Sequence, residues 1–422
     1  MRMNRGFYTI MAAQFFSSLA DNALLIASIA LLTSMDSPAW MTPLLKLFFV
    51  LSYVLLAAFV GAFADSLPKG RVMFITNLIK IGGCSLMFFH VHPLVAYAVV
   101  GFGAAAYSPA KYGILTELLP PEKLVAANGW IEGLTVLSII FGTVMGGALV
   151  NPSIANALLE LDFPIFDFNI SSAAEAALAV VMATYVIAAL FNLNIPDTGA
   201  RYPHQEHNPV RLIMDFANCF VVLWRDKLGQ ISLSVTTLFW GAGATLQFIV
   251  LKWAERSLNM PLSKGAVLQG VFALGVAIGA SAAARFVPLK KSLSVLPLGI
   301  AMGLIVMLMT LVHTVSLAYP LLVLVGALSG YFVVPMNALL QHRGHVLMSA
   351  GHSIAVQNFN ENISVLTMLV LYAVMLKLNL DINLVIILFG LFVAGTMLLT
   401  MQKHAANQRE YDSLALIGER KH

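Results

Sequence analysis

Long apolar segments constrain this chain more than any short motif does. A membrane-spanning helix needs about 20 predominantly apolar residues, and runs of that length recur along the whole 422-residue sequence. We predict twelve spanning helices in two groups of six. The first group lies at 8–33, 44–64, 71–90, 94–117, 124–150 and 173–195. The second lies at 228–252, 263–287, 292–313, 316–342, 347–376 and 380–401.

The composition indicates a polytopic membrane protein and argues against a soluble enzyme. Hydrophobic residues make up 59% of the chain, charged residues 10%, and the mean hydropathy is +0.85, whereas about 25% of the residues of a soluble domain are charged. The apolar run near the N-terminus continues to about Thr33, which is typical of a spanning helix and too long for a signal peptide. Cys84 and Cys219 show neither metal-ligand spacing nor a disulfide framework.

Lysine and arginine predict the orientation of the chain in the membrane. They concentrate in the segments that lie inside when the N-terminus is cytoplasmic, so both termini are predicted to be cytoplasmic. The predicted organisation is a six-helix bundle at 1–195, a cytoplasmic linker at 196–227, a second bundle at 228–401 and a cytoplasmic tail at 402–422. The linker becomes amphipathic at about Pro209 and is predicted to form a helix there that lies along the membrane surface. The outer segment 151–172 is acidic, and its sequence indicates no role.

The two groups of helices resemble each other, as in transporters that are built from repeats. The fourth-span segment VGFGAAAYSPAKYGILTEL aligns with VGALSGYFVVPMNALLQHR of the tenth span when one inserted residue is allowed. Pro109 then matches Pro335, Lys111 matches Asn337, and the spans that follow carry Glu132 and Glu361. Parallel six-helix repeats joined by a cytoplasmic linker predict an all-α protein with the major facilitator fold.

A cation and a carboxylate lie inside adjacent spans between Gly101 and Gly133. Lys111 is about 9 Å and Glu132 about 13 Å inside the predicted cytoplasmic boundary. Charges at such depths are costly and mark a pathway or a binding site. The two residues either form a structural ion pair, or Lys111 contacts an anionic phosphate while Glu132 tunes or releases it.

The first span carries a second group of polar residues. Asp21 lies about 20 Å into its helix, near the membrane midplane, and it shares a helical face with Gln14 and Ser18, flanked by Asn22. This carboxylate is predicted to line a cavity and meet a cationic headgroup or a coupling ion, with a polar helix–helix contact as the alternative. Lys80 is another intramembrane cation, for which pairing and snorkelling to the cytoplasmic side explain the position about equally well.

The second half contains polar side chains that are unusual for spanning helices. Gln357 and Glu361 lie four residues apart in the segment VQNFNEN and share a helical face. Such a density of polar groups in a membrane helix predicts a water-filled cavity. Gln247 lies in another span of this half and is a further candidate.

The loop between the second and third spans carries a candidate gating cluster. GAFADSLPKGRVM resembles the major facilitator loop signature G-x-x-x-D-x-x-G-[RK], stretched by one or two residues. Asp65 is predicted to pair with Lys69 and Arg71 and to latch the cytoplasmic helix ends. The equivalent loop of the second half keeps Arg285 and has no aspartate. Membrane topology alone is the alternative, since basic residues belong on this side.

Motifs for enzymatic chemistry are absent from the sequence. No histidine is followed five positions later by aspartate, as an H-x-x-x-x-D acyltransferase requires, and there is no G-x-x-x-x-G-K-[ST] phosphate loop. We therefore predict a protein that is not an enzyme and that uses no cofactor, no metal and no nucleic acid.

At the level of individual residues, the chain resembles the bacterial lysophospholipid transporters of the major facilitator superfamily. The segments that carry this resemblance are AAQFFSSLADNALL, GAFADSLPKGRVM, AAAYSPAKYGIL, FWGAGATL, FVVPMNALLQ and AVQNFNEN. The resemblance implies an inner-membrane flippase that moves lyso-phosphatidylethanolamine and related lysolipids from the outer to the inner leaflet by alternating access. There, an acyl-acyl-carrier-protein synthetase with acyltransferase activity would rebuild the diacyl lipid. We expect a monomer among membrane lipids.

The resemblance also implies which residues recognise the headgroup. Asp21, Lys111, Asn337 and Glu361 would contribute in a central cavity. Gln247 stands where arginine is expected in some relatives, and a neutral amide cannot pair with phosphate as a guanidinium does. The full predicted substrate-binding set is Asp21, Asn22, Lys111, Glu132, Gln247, Asn337, Gln357 and Glu361.

Two other functions remain open at the level of sequence. One is a major facilitator exporter of drugs or siderophores, which would share the fold and work in the opposite direction. The other is a membrane partner that anchors the acyltransferase without transporting anything. The sequence does not specify the accepted headgroups or a coupling ion.

Overall fold

The computed structural model describes residues 3–37, 41–160, 172–260 and 262–418, and within these ranges the chain is all-α, with no β-strand. Half of the acidic outer segment predicted at 151–172, residues 161–171, falls outside the described residues. The last four residues of the predicted tail, 419–422, also lie outside them. All later structural statements concern the described ranges.

The first half of the chain forms eight helices. They are α1 (Arg5–Ser34), α2 (Met41–Leu55), α3 (Ala57–Ser66), α4 (Lys69–Phe88), α5 (Pro93–Leu118), α6 (Leu124–Leu149), α7 (Pro152–Leu159) and α8 (Ala173–Leu193). A 3₁₀ turn at Pro121–Lys123 precedes α6. Pro109 lies inside α5, and Pro335, its counterpart in the repeat alignment, lies inside the helix Val315–Leu347.

The second half forms seven more helices. They are α9 (Pro209–Arg225), α10 (Lys227–Ser257), α11 (Leu262–Phe286), α12 (Leu296–Val306), α13 (Val315–Leu347), α14 (Ala350–Lys377) and α15 (Ile382–Glu410). The linker helix predicted from about Pro209 is confirmed as α9. Its proline occupies the first turn, where its missing N–H costs nothing, and the Asn208 side chain accepts a hydrogen bond from the Val210 amide at 3.0 Å.

Eleven of the described helical segments are long and apolar enough to span a membrane, and the number becomes twelve when the bent pair α2–α3 counts as one span. The prediction of one continuous helix over 44–64 is wrong, because the axis bends by 67° between the two helices. The break falls at Leu56. Neither proline nor glycine, the usual causes of a kink, stands at that position, so the sequence gives no local signal for it.

The span predicted at 292–313 is also less regular than expected. It consists of a 3₁₀ segment at Leu289–Val295, the short helix α12 and a second 3₁₀ segment at Met307–Leu311. Pro297 lies in the first turn of α12, where proline fits because that N–H would have no helical acceptor. The proline therefore marks the start of the α-helical part inside the predicted span.

The chain divides into two compact units, and each unit is built from two separate segments of the sequence. Unit 1 contains Met1–Ile114 and Leu137–Ile213, and unit 2 contains Leu115–Val136 and Met214–His422. The first half of α6 thus belongs to unit 2. The domain organisation predicted from the sequence, with cuts at 195, 227 and 401, stays a prediction.

Each unit is held together by close helix packing. In unit 1, α8 packs against both α1 and α4; in unit 2, α11 packs along α13, α10 along α14 and α12 along α15. The α11–α13 contact is the tightest, because a Cβ at Gly279 would clash with the Ala327 carbonyl and one at Gly326 would clash with the Phe272 carbonyl. Small residues permit this approach of two membrane helices.

The C-terminal residues fold back onto unit 2. Helix α15 continues to Glu410, well beyond the apolar run, and residues 411–418, here called the C-terminal strap, contact the end of α13. The Gly418 amide donates to His342 Nε2 at 3.0 Å. Arg343 donates to the Leu416 carbonyl at 3.5 Å and forms a buried ion pair with Asp226 at 2.7 Å. The strap is therefore held by these backbone hydrogen bonds together with the buried side chains of Ser413 and Ile417.

Candidate functional site

Unit 1 contains a buried group of polar side chains that we call the ion-pair cluster, comprising Ser17, Asp21, Asn77, Lys80 and Tyr185. Lys80 Nζ lies 2.8 Å from Asp21 Oδ2 and donates to Ser17 Oγ at 3.0 Å. The Tyr185 hydroxyl donates to Asp21 Oδ1 at 2.5 Å, and Ser17 donates to Asn77 Oδ1 at 2.7 Å. The cluster thus places both signs of charge inside one bundle.

Helical spacing explains how three helices assemble this cluster. Ser17 and Asp21 are four residues apart on α1, and Asn77 and Lys80 are three apart on α4, so each pair shares a face. Tyr185 reaches the carboxylate from α8. Lys80 is almost fully buried, whereas the Asp21 side chain keeps 19% of its exposure. The carboxylate is therefore the charged member that a ligand can reach.

Several polar atoms around the ion-pair cluster have no hydrogen-bond partner among the described residues. They are both amide atoms of Gln14, the Nδ2 atom of Asn77 and the hydroxyl of Tyr107. The Tyr107 ring centroid lies 4.8 Å from Lys80 Nζ, a cation–π distance. Burying polar groups without partners is costly, so these atoms are suited to bind water or the polar head of a ligand.

Unit 2 contains a different group, the amide–carboxylate cluster, comprising Glu132, Asn337, Gln357 and Glu361. The Asn337 amide donates to Glu132 Oε1 at 3.3 Å. The Gln357 amide donates both to Asn337 Oδ1 at 3.1 Å and to Glu361 Oε1 at 2.8 Å. The Gln357 Oε1 atom is buried without a hydrogen-bond partner among the described residues. All four side chains are buried.

A pair of reciprocal hydrogen bonds positions this cluster. Asn128 and Gln341 each donate their amide to the other's oxygen at 2.9 Å. Asn128 precedes Glu132 by four residues on α6, and Gln341 follows Asn337 by four on α13, so α6 and α13 meet at two successive polar contacts. Such amide contacts between helices hold membrane bundles together, and here they fix the depth at which Glu132 meets Asn337.

The two clusters offer different chemistry to a ligand. The ion-pair cluster offers the Asp21 carboxylate, which suits an ammonium, while the Lys80 ammonium stays buried in the pair. The amide–carboxylate cluster offers oxygen acceptors that suit an ammonium or hydroxyl group. Within the described ranges, no group of three or more His, Cys, Asp or Glu side chains could hold a metal ion.

In the structure, three residues of the predicted substrate-binding set belong to neither cluster. The Asn22 amide donates to the Ser18 carbonyl of its own helix at 2.8 Å. The Gln247 side chain is exposed. Lys111 is partly buried, with its Nζ atom 4.5 Å from the centroid of the Tyr112 ring. Lys111 and Glu132 fall in different compact units, and their pairing stays a prediction.

The predicted gating residues divide into a buried pair and two exposed cations. Asp65 at the end of α3 lies 3.0 Å from Lys69 at the start of α4, and both side chains are buried. Lys69 also donates to the Ala64 carbonyl at 2.9 Å. Arg71 and Arg285 are exposed. The predicted pairing of Asp65 with Lys69 is confirmed, and the gating role of all four residues stays a prediction.

The linker carries exposed ion pairs that perturb the acidity of their carboxyl groups. Arg201 Nη2 lies 2.6 Å from Asp197 Oδ2, and this hydrogen bond, with one from the Gly199 amide, lowers the pKa of Asp197 to about 2. Hydrogen bonds from the Asn208 amide and from Arg211 lower the pKa of Glu206. These charges stay ionised at neutral pH and contribute little while exposed.

Sequence reasoning missed several members of the two clusters. The sequence identifies Lys80 as an intramembrane cation without its partner, and its pattern of charges does not point to Asn77, Tyr107 or Tyr185. The amides of Asn77 and Asn128 are polar groups within apolar spans, which is a signal that could have found them. Tyrosine in a spanning helix is typical of the membrane interface, so the sequence carried no signal that Tyr185 belongs to a buried polar cluster.

Comparison with known proteins gives consistent matches over most of the chain. A model of the Major Facilitator Superfamily matches residues 10–366. The lysophospholipid transporter LplT of Yersinia enterocolitica is 42% identical over 381 residues, which cover 90% of this chain and 89% of that protein. The lysophospholipid transporter LplT of Serratia proteamaculans is 43% identical over 376 residues, 89% of each chain.

Solved structures share the architecture at low sequence identity. The human organic anion transporter MFSD10 (TETRAN) superposes with a TM-score of 0.69 at 15% identity, over 95% of this chain and all of that one. The transporter FucP, solved in an outward conformation, gives a TM-score of 0.67 at 15% identity, over 94% of this chain and 98% of its own. At this identity the likeness concerns the fold alone.

Proposed function

Because the chain belongs to the Major Facilitator Superfamily, we propose that it is a transporter and that its substrates are lysophospholipids. The observation that carries the proposal is the 42–43% identity, over about nine-tenths of the chain, to proteins named lysophospholipid transporters. The chain itself is a multi-pass protein of a bacterial inner membrane, with eleven or twelve apolar spans among its described residues. The superfamily is one of transporters, and enzymatic activity is not part of the proposal.

The polar groups inside the bundles support a zwitterionic or anionic headgroup as the recognised part of the substrate. A lyso-phosphatidylethanolamine head carries a phosphate and an ammonium on one acyl chain. Within unit 1, Asp21 supplies the partner for the ammonium, and Lys80 becomes available to the phosphate when its pair with Asp21 opens. In unit 2, the oxygens of Glu361, Gln357 and Glu132 are further acceptors for the ammonium.

The direction and the mechanism belong to the same proposal. The lysolipid moves from the outer to the inner leaflet by alternating access, with the headgroup passing the polar clusters while the acyl chain stays against apolar side chains. The halves rock about the substrate site, as in other transporters built from repeats. Asp65 and Lys69 contribute to the latch that opens in the inward-open state, together with Arg71 and Arg285.

We further propose that the transported lysolipid is re-acylated on the cytoplasmic side. An acyl-acyl-carrier-protein synthetase with acyltransferase activity would consume the product there, because a single-chain lipid becomes a bilayer-forming lipid again only after acylation. The transporter works as a monomer in this scheme. Export of drugs or siderophores is the rival function, and no observation on this chain favours it.

The test uses the full-length protein reconstituted into liposomes that contain fluorescent lyso-phosphatidylethanolamine in the outer leaflet. We expect protein-dependent movement of the lysolipid to the protected leaflet and little transport of drugs. Asp21→Asn should slow this movement strongly. Asp197→Asn, the same chemical change at an exposed linker site, should leave it unchanged.

Correctly folded protein that moves no lysolipid would refute the proposal. Export of drugs by the same liposomes would then support the rival. If lysolipid transport is normal in wild type and unaffected by Asp21→Asn, the substrate class stands and the assignment of the ion-pair cluster to the binding site fails.

A further inference from the structure

We propose that the linker helix α9 is a lipid-binding element, whose exposed apolar side is embedded in the headgroup–acyl boundary of the same membrane that α10–α15 span. The proposal concerns an interaction surface and does not depend on the substrate. Its occupant is the bilayer itself, and neither a second copy of the chain nor another protein.

Helix α9 carries two apolar faces, and only one of them is covered. Leu223 is fully buried against Leu233, Leu340 and Val356 of unit 2, together with partly buried aromatic side chains of α9. A second stripe is exposed although it is apolar. Its members recur at helical spacing and are Val210, Ile213, Met214, Ala217 and Val221.

The exposed stripe is too apolar for a water-facing surface. Met214 retains 60% of its exposure and Val210 retains 65%, whereas Arg211, Asp215 and Asn218 occupy the neighbouring polar side of the helix. A continuous apolar stripe on a soluble surface marks an interaction site. A helix with one apolar and one charged side is typical of an element that lies in the plane of a membrane interface.

The depth of α9 beside the bundle indicates which medium covers this stripe. Its contacts on α10 and α14 are Leu233 and Val356, each six residues, or about 9 Å, from the start of its helix. Helix α10 is 31 residues long, or about 46 Å, and therefore exceeds the hydrocarbon core of about 30 Å by about 8 Å at each end. Helix α9 thus lies near the edge of the hydrocarbon.

The covered face of α9 continues into a surface that faces lipid. Phe216 contacts Phe359 of α14, with ring centroids 5.3 Å apart. From Phe359 an exposed apolar row follows α14 through Ile363, Val370 and Val374 at helical spacing. In a spanning helix such a row contacts acyl chains, and α9 lies at its end, where the acyl chains give way to headgroups.

The charges beside the stripe fit the same location. Arg225 at the end of α9 is exposed, and only Asp226 separates it from the membrane helix α10. A guanidinium at this level meets lipid phosphates, and basic residues next to a spanning helix attract anionic headgroups.

The experiment places a nitroxide spin label on each side of α9 in the full-length protein. Single cysteines, Ala217→Cys on the apolar stripe and Asn218→Cys on the polar side, are introduced after Cys84→Ala and Cys219→Ala. Positions 217 and 218 form a matched pair, because both are exposed and they are adjacent in the sequence. The labelled proteins are reconstituted in nanodiscs of phosphatidylcholine and phosphatidylglycerol, and collisions with oxygen and with a water-soluble nickel chelate are measured.

We expect the label at 217 to collide preferentially with oxygen and the label at 218 to collide preferentially with the nickel chelate. Equal access of the chelate to both labels would overturn the proposal, because the stripe would then face water. Dipolar broadening between labels at 217 in discs that hold two copies would overturn it in favour of a protein contact. Val221→Cys, on the same stripe, gives a second measurement if Ala217→Cys does not fold.

Discussion

The two polar clusters stabilise a carboxylate inside a membrane bundle in different ways. In unit 1 the Asp21 carboxylate is paired with the Lys80 ammonium at 2.8 Å. In unit 2 the Glu361 carboxylate is held by the Gln357 amide at 2.8 Å, and no ion pair of Glu361 occurs among the described residues. One unit neutralises its carboxylate internally, and the other solvates a carboxylate with neutral dipoles.

Because of this difference, we expect substitutions in the two clusters to affect stability and substrate binding to different extents. A buried ion pair makes the fold depend on both partners, because removing one leaves the other charge uncompensated. A carboxylate held by amides can lose its charge without leaving an uncompensated partner. Substitutions in the ion-pair cluster are therefore expected to lower the unfolding temperature most. Substitutions in the amide–carboxylate cluster are expected to lower substrate affinity most.

Lys80→Met should give the largest effect. It removes the cation from Asp21, and breaking a buried pair costs about 3–5 kcal/mol, so the unfolding temperature should fall clearly and transport should be lost. Thermal unfolding in detergent and lysolipid transport in liposomes measure the two effects. Adding Asp21→Asn should recover most of the stability but not the transport. Recovery of both by the double variant would show that the pair is structural only.

Glu361→Gln should act on binding and leave stability nearly unchanged. The amide keeps a hydrogen bond to Gln357 but can no longer pair with an ammonium, and losing a buried charge partner weakens binding by about 2–5 kcal/mol. Competition between lyso-phosphatidylethanolamine and lyso-phosphatidylglycerol measures this, since the second head has no ammonium. An equal loss of affinity for both lipids would show that Glu361 does not recognise the ammonium group.

Tyr185→Phe and Tyr107→Phe make the same chemical change at matched sites. The Tyr185 hydroxyl donates to Asp21, and a hydrogen bond to a charged group contributes about 1.5–3 kcal/mol. The Tyr107 hydroxyl has no partner among the described residues, so its removal should leave the unfolding temperature unchanged or raised. Equal destabilisation by the two variants would mean that ring packing, and not the hydroxyl, matters in this cluster.

Asp197→Asn should have the smallest effect and serves as the exposed counterpart of the buried pairs. Because Arg201 lowers the pKa of Asp197 to about 2 from the ordinary 3.8, the pair contributes its stabilisation above about pH 4 and loses it as the pH falls through 2. Because the pair is exposed it contributes little even where it is fully formed, so the unfolding temperatures of variant and wild type should lie close together at pH 8 and at pH 5. A constant gap at both values would indicate that the linker pair is more than a surface contact.

The sequence predicts what depends on local composition. Apolar runs predict the spanning helices, the spacing of Gln357 and Glu361 predicts their shared face, and the step from Asp65 to Lys69 predicts a pair across one short turn. The bend at Leu56 was not predictable, because no proline or glycine marks it.

Partners that are distant in the chain could not be predicted. Lys80 and Asp21 are 59 residues apart, and their contact arises only because α1, α4 and α8 pack together. The same holds for Asn128 and Gln341, 213 residues apart. Periodicity gives the face of a helix, whereas the neighbour of that face is decided by packing of the whole unit.

The C-terminal strap has a consequence for how the end of the chain tolerates change. Its hydrogen bonds with Arg343 and His342 come from the Leu416 carbonyl and the Gly418 amide. Gly418 has a left-handed backbone with a φ of +95°, which other residues rarely adopt. Side chains at the exposed strap positions 411, 412, 414 and 415 can therefore vary while the docking persists, whereas Ser413 and Ile417 are buried. Gly418→Pro would weaken that docking, because proline has no amide hydrogen to donate to His342 and cannot adopt a positive φ.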